Sequence, residues 1–247
     1  MSTGPDPLQE IRPLLRDRNV GYVSNLDPGT PRAIIAFAGL RGGMGPLPVF
    51  EFFQALNKIG AKAAFFRDLD FAWYHRGVPN VGPDIESIAD RIRELTKGSE
   101  EVIMIGNSGG AYASLLFAAL VGDEIHAEAH AFSPPTFINP ELRQRHSDNR
   151  WAEEWKEFVQ GGYMDPRYGD LYPVVSAGRG PFHIYYAEHH TYDRIHAEHL
   201  GVLDTVTLHP IDSDIHTPIK HLRNTGWLNT FLAELVHRPL PNGRRPT

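Results

Sequence analysis

Short, largely apolar runs alternate with stretches of helical spacing along most of this chain, and that alternation restricts the fold more than any other feature. The runs lie at 33–38 (AIIAFA), 61–66 (AKAAFF), 101–105 (EVIMI), 127–132 (AEAHAF), 182–187 (FHIYYA) and 205–209 (TVTLH), with a shorter one near 20–24. A strand buried on both faces reads as such a run, because neither face can alternate towards water. Between the runs, residues 48–59, 84–96, 192–199 and 220–236 space their apolar groups as helices do, and Gly60 and Gly98 stand where two of these would close. Strand–helix alternation of this kind predicts an α/β fold: a mostly parallel sheet with helices on both faces. Residues 139–178 break the rhythm with charges and aromatics (RWAEEWKEF). They are too few to bury a core of their own, so they read as a short lid-like insertion in a single domain of residues 1–247. The polar tail, 237–247, is expected to be flexible.

Composition removes several function classes. A formal charge of −6 with no dense Lys/Arg cluster argues against a nucleic-acid partner. Cysteine is absent, which excludes disulfides, thiolate metal sites and a cysteine nucleophile together. The start, MSTGPDPLQE, lacks a basic segment followed by an apolar one, and no run approaches the ~18 to 20 apolar residues that span a bilayer. The expectation is a cytoplasmic protein without a membrane span.

One turn carries chemistry. After the run at 101–105 comes Gly-Asn-Ser-Gly-Gly (106–110) and then an Ala- and Leu-rich helical stretch. A serine hydroxyl attacks only when a base takes its proton. A Gly-x-Ser-x-Gly turn between strand and helix lifts that hydroxyl to the carboxyl edge of the sheet. Its glycines let the backbone bend sharply and let helix and strand pass closely, and the amide after the serine points to a developing oxyanion. Ser108 is therefore the candidate nucleophile and Gly109 an oxyanion donor. In this chain order an acid and then a histidine should follow, the histidine just after the last strand. His216 satisfies this; His209 is still in the strand and His221 is inside the next helix. Asp193, just past the penultimate strand, is the candidate acid that would orient the imidazole, with Glu188 as the alternative.

The second oxyanion donor should come from the loop after 33–38, which reads AGLRGGMG. The Leu40 amide is the choice, with Gly39 or Arg41 as alternatives. These glycines lack the Gly-Lys-Ser/Thr of a phosphate loop and the spacing of a dinucleotide site. Arg41 is also placed to recognise a carboxylate or phosphate on a substrate, and Trp73 and Tyr74, with the aromatics of the insertion, to line a water-poor substrate site. His196 and His199 have ligand-like spacing on a helix, but no His-Glu-x-x-His accompanies them, so no metal is expected.

The turn GNSGGAYAS resembles the nucleophile elbow of the α/β-hydrolases. Together with FFRDLDFAWYHRGVPNVG, IYYAEHHTYDRIHAEHL and IHTPIKHLRNTGWL, it is similar to small bacterial α/β-hydrolase-like proteins encoded with polysaccharide or other specialised biosynthetic loci, over about residues 33 to 235. The resemblance implies an α/β-hydrolase fold with Ser108, Asp193 and His216 as a catalytic triad, no cofactor, and a small-molecule or carrier-bound acyl substrate. One departure is the oxyanion loop, which reads Ala-Gly-Leu-Arg-Gly-Gly where many esterases have His-Gly-Gly-Gly. The expected activity is ester or thioester hydrolysis through an acyl-enzyme. The rivals are an acyltransferase or cyclase working through the same intermediate, and a non-catalytic binding protein on the same fold.

Overall fold

The computed structural model describes residues 11–40, 49–216 and 218–243. Helix α1 (Ile11–Leu14) precedes strand β1 (Tyr22–Ser24) and β2 (Arg32–Phe37). Then come α2 (Phe53–Lys58), β3 (Ala63–Phe66), α3 (Ile85–Leu95), β4 (Glu101–Asn107), α4 (Gly109–Val121) and β5 (Ala127–Phe132). Helices α5 (Pro140–Arg145), α6 (Ala152–Gln160) and α7 (Tyr172–Ala177) follow. The chain ends with β6 (Phe182–Ala187), α8 (Thr191–Leu200), β7 (Val206–Ile211), α9 (Ile219–Asn224) and α10 (Trp227–His237).

The seven strands form one sheet in the order β1-β3-β2-β4-β5-β6-β7, with only β1 antiparallel to its neighbour. From β2 the chain moves outward to β3; from β4 it moves the other way, to β5. The reversal opens a crevice beyond the carboxyl ends of β2 and β4, where open parallel sheets bind ligands. Register brings those ends level: Phe37 pairs with Gly106, and Asn107 with Phe132.

Two cores fill the faces. Helices α3, α4, α7 and α8 cover one, and α1, α2, α9 and α10 the other. Helix α4 is apolar all round because it is enclosed, with 12 of its 13 residues buried. Phe37 stacks between Phe66 and Phe117 at 5.4 and 5.3 Å, tying sheet and helix together.

Two expectations change. The helix anticipated over 220–236 is two helices, because Gly226 adopts a left-handed backbone (φ 82°) and starts α10 afresh. The insertion carries helices α5, α6 and α7 and is tied to the rest of the domain by hydrogen bonds. The Asp165 amide donates to His75 Nδ1 (3.0 Å), His75 Nε2 meets the Tyr112 hydroxyl (2.8 Å), and that hydroxyl donates to the Tyr168 carbonyl (2.5 Å). Burial lowers the His75 pKa to about 3, so the ring is neutral, accepting at Nδ1 and donating at Nε2. The expected tail is anchored through its first residues: Arg32 donates to the carbonyls of Arg238 (2.6 Å) and Pro239 (2.9 Å), and Leu240 is buried.

Candidate active site

Ser108 stands between β4 and α4 with φ 51° and ψ −118°, a strained conformation for a residue with a side chain. Its amide donates to the Phe132 carbonyl of β5 (2.8 Å), and its own carbonyl accepts from Ala111 (2.9 Å) and Tyr112 (3.1 Å) to start α4. The flanking glycines make the bend possible by their lack of bulk. A Cβ at Gly106 would stand 2.0 Å from the Gly110 oxygen, and one at Gly110 would stand 2.2 Å from the Phe37 oxygen.

His216 lies in the segment after β7. Its Nε2 is 3.3 Å from Ser108 Oγ and its Nδ1 is 2.6 Å from Asp193 Oδ1. Asp193 is in the first turn of α8, buried, with His190 capping that helix by accepting from the Asp193 amide (3.2 Å). Burial alone would raise the Asp193 pKa. The His216 hydrogen bond and charge outweigh it, helped by Ser133 and His190, and the carboxyl is held below its ordinary value. Ser133 Oγ and Asp193 Oδ2 are both buried without a well-formed hydrogen bond. The hydroxyl thus aids the carboxylate from nearby without closing a bond. Glu188, the alternative acid, is exposed, and Asp212 pairs with His189 at 3.1 Å. His209 lies 3.1 Å from His183, within the sheet.

Across the crevice, Leu40 follows β2. A Cβ on Gly109 would meet the Leu40 amide nitrogen at 3.4 Å, so the backbones of these two expected oxyanion donors are adjacent. Among the described residues neither of their N–H groups has an acceptor. Gly39 is pressed against the turn: a Cβ there would lie 2.9 Å from the Asn107 oxygen and 3.6 Å from Ser108 Cβ. Sequence reasoning missed Glu51 beneath this loop. Burial raises its pKa to about 7, against hydrogen bonds from the Gly39 backbone and the Asn107 side chain and the charges of Lys220 and Arg223. Nothing in PVFEFFQALNKI distinguishes that glutamate from a helix-surface acid.

Arg41 lies outside the described residues. Trp73 and Tyr74 do not line a surface; both side chains are wholly buried. The cause is Asp68, whose carboxylate accepts from the amides of Asp70 (3.0 Å), Ala72 (2.7 Å) and Tyr74 (3.0 Å). This tight turn puts Phe71, Trp73 and Tyr74 in left-handed conformations and directs the last two inward. Tyr74 then donates to the Ala38 carbonyl (2.8 Å), bracing the Leu40 loop from below, while Trp73 packs on Phe158 and Trp151 of the insertion. The insertion supplies two further residues: Trp151, expected among the aromatics lining a substrate site, whose ring centroid is 5.5 Å from that of His216, and Arg150, which sequence reasoning left unassigned, whose Nη1 is 3.4 Å from Asp193 Oδ1. Their only signal was the density of aromatics and charges in RWAEEWKEF.

His196 and His199 do not form a ligand pair. Phe137 lies against both rings, tilted on His196 at 4.1 Å and edge-on to His199 at 5.2 Å, and each histidine serves its own carboxylate: His196 Asp148 (3.1 Å), His199 Asp170 (2.7 Å). Two groups among the described residues gather metal-ligand atoms within 4.8 Å. One is His190, Asp193 and His216. The other is Glu128, His130 and His183, which lies between β5 and β6 and is already engaged by protein partners. Arg238 pairs with Glu128, His130 bonds Glu128 (2.6 Å) and Tyr185 (3.2 Å), and His183 bonds His209.

No family model matches the sequence, and no curated protein matches it. Solved structures do. The capsule O-acetyltransferase of Neisseria meningitidis serogroup A superposes with a TM-score of 0.60 at 14% identity, over 86% of this chain and 91% of that one. A hyperthermophilic esterase from the archaeon Pyrobaculum calidifontis matches with a TM-score of 0.57 at 14% identity, over 87% and 79%. The fold is that of the α/β-hydrolases. A fluorophosphonate-binding serine hydrolase of Staphylococcus aureus shares it, with a TM-score of 0.54 at 14% identity over 84% of this chain and 85% of that one. No helix among the described residues is long and apolar enough to cross a membrane.

Proposed function

We propose that this α/β-hydrolase is a serine hydrolase that cleaves an ester or thioester through an acyl-enzyme on Ser108. The observation that carries the reading is the hydrogen-bonded chain from Ser108 Oγ through His216 to the buried Asp193, at 3.3 and 2.6 Å. With Nδ1–H donated to Asp193, His216 Nε2 is free to accept the serine proton as Oγ attacks the carbonyl carbon. The negative charge that develops on the carbonyl oxygen is held by the amides of Gly109 and Leu40, the former at the start of α4. His216 returns the proton to the leaving alcohol or thiol. Water, deprotonated by the same imidazole, then attacks the acyl-enzyme and frees the acid.

A second reading, transfer of the acyl group to a substrate hydroxyl, is favoured by Trp151. Its indole stands beside His216, with ring centroids 5.5 Å apart, and an apolar wall there would disfavour water as the deacylating nucleophile. Likeness to the capsule O-acetyltransferase agrees with this reading.

The test is covalent labelling by a fluorophosphonate in the folded protein. Wild type should label at Ser108, and Ser108→Ala and His216→Ala should abolish it. Unlabelled, folded wild type would favour a binding protein on this fold. Product analysis of an activated ester, with and without an added alcohol, separates hydrolysis from transfer: a new ester formed at the expense of free acid identifies the transferase.

A further inference from the structure

The inserted segment reaches the proposed triad with two consecutive residues. Between α5 and α6, Trp151 takes a left-handed backbone (φ 51°), and its indole meets His216 while the Arg150 guanidinium meets Asp193. Arg150 is held in one orientation. Its Nε donates to Asp148 Oδ1 (2.9 Å) and its Nη2 to Asp148 Oδ2 (2.8 Å), and its plane lies 4.6 Å from the Trp151 ring and 4.9 Å from that of Tyr192. Asp148 is itself fixed. Burial would raise its pKa, but bonds from His196 and Arg150 and the charges of Arg150 and Arg143 hold it well below the ordinary carboxylate range. His196, neutral because burial lowers its pKa to about 4, accepts the Thr136 amide at Nδ1 (3.0 Å) and presents Nε2 to Asp148 (3.1 Å).

We propose that Arg150 is a positioning residue for Asp193, so that docking of the inserted segment completes the triad. The inference rests on Ser108, His216 and Asp193 acting as that triad. Asp193 Oδ1 faces His216 Nδ1 (2.6 Å), His190 Nδ1 (3.1 Å) and Arg150 Nη1 (3.4 Å), with the Ser133 hydroxyl near the carboxylate. Around Arg150 stand Asp148, Arg143, His196 and Tyr192. Of the groups that face Asp193, Arg150 alone carries a permanent charge. That charge, 3.4 Å from Asp193 Oδ1, steers the carboxylate. It also opposes protonation of the imidazoles beside it, as it does for His190 and His196. Without it, Asp193 would pull harder on an imidazolium, and a more alkaline solution would be needed to free the base.

The experiment measures the rate of fluorophosphonate labelling across about pH 5 to 9, the span over which a histidine base reports. It uses wild type, Arg150→Met, Arg150→Lys and Ser108→Ala. Arg150→Met should label about tenfold more slowly, the lower range for a lost hydrogen bond to a charged group. Its acid limb should move to higher pH. Arg150→Lys, which keeps the charge but cannot fork onto Asp148 and reach Asp193 together, should restore the limb and only part of the rate. Wild-type rate and an unmoved limb in folded Arg150→Met, with Ser108→Ala unlabelled, would overturn the role of Arg150 and leave the triad standing. If Arg150→Met does not fold, Arg150→Lys decides, and a wild-type rate there overturns the proposal. Wild type that does not label, or Ser108→Ala that does, strikes the triad and this inference together.

Discussion

Replacing Gly106 by alanine should damage both stability and chemistry, for a reason that can be measured in the structure. Gly106 has no left-handed backbone, so alanine suits its conformation; only the added methyl matters. That carbon would lie 2.0 Å from the Gly110 oxygen, 2.2 Å from the Gly110 carbonyl carbon and 2.6 Å from the Ala111 nitrogen. Comfortable contacts are about 3.5 Å, so β4 and α4 must separate by more than about 1 Å. The offending atoms are backbone, and α4 is enclosed on every side, so no side chain can swing away. Overpacking typically costs 1–3 kcal/mol, and a backbone-on-backbone collision belongs at or above the top, about 3 kcal/mol. For a chain of this size that lowers the melting temperature by roughly 6–12 °C. Ser108 is two residues away, and a displacement of about 1 Å can cost a hundredfold in rate. Calorimetry and fluorophosphonate labelling well below the transition would read the two effects. The control is Gly60→Ala, at φ 71° with open space around it, which should cost about 1 kcal/mol and leave labelling alone. A Gly106→Ala protein as stable as wild type, or one that labels normally, would refute the claim that this glycine exists for the close passage of strand and helix.

Two further outcomes follow from buried charge. Arg238 closes the ends of two nearly buried carboxylates, Glu101 and Glu128, whose other partners are Arg32 and His130. Because each acid keeps one partner, Arg238→Ala should destabilise by about 3 kcal/mol, the low end for breaking a buried pair, in urea titrations at neutral pH. Loss of protection of residues 238–240 from proteolysis should accompany it. His75 is neutral in the folded chain, with its pKa lowered by burial to about 3 from 6.5, so below pH 6.5 the unfolded chain binds a proton that the folded chain refuses. Its contribution is complete above pH 6.5 and is lost as pH falls towards 3, at up to about 1.4 kcal/mol per pH unit. Urea midpoints at pH 7.5 and 5 should therefore fall less steeply for His75→Gln than for wild type; equal slopes would mean that the ring is already protonated or exposed.

What could be read from the chain depended on how far each determinant lay from the residue it determined. Strands at 127–132 and 182–187 were legible to the residue, because a strand buried on both faces reads as a largely apolar run even where Glu128, His130 and His183 interrupt it. Ser108 was legible because its turn needs glycines at fixed offsets. His216 and Asp193 were legible because strand order alone brings the ends of β6 and β7 towards the end of β4, whatever the side chains between them. Gly226 was passed over because apolar spacing continues through it, and only the backbone angle separates α9 from α10. Trp73 and Tyr74 were misread for a subtler reason. Their aromatic character fits a pocket wall and a core equally well, and the choice is made by the Asp68 carboxylate collecting three amides, a local device with no periodicity. Arg150 left only the density of charges and aromatics in RWAEEWKEF, and Glu51 left no trace at all. Each acts across the crevice from an element placed by packing: Arg150 through a contact 43 residues away in sequence, Glu51 beneath a loop that the sheet delivers. In this fold the residues proposed to react are fixed by topology and so by pattern. The residues that hold them in register come from the insertion and the loops, where only the folded packing says which of many charged and aromatic side chains is nearest.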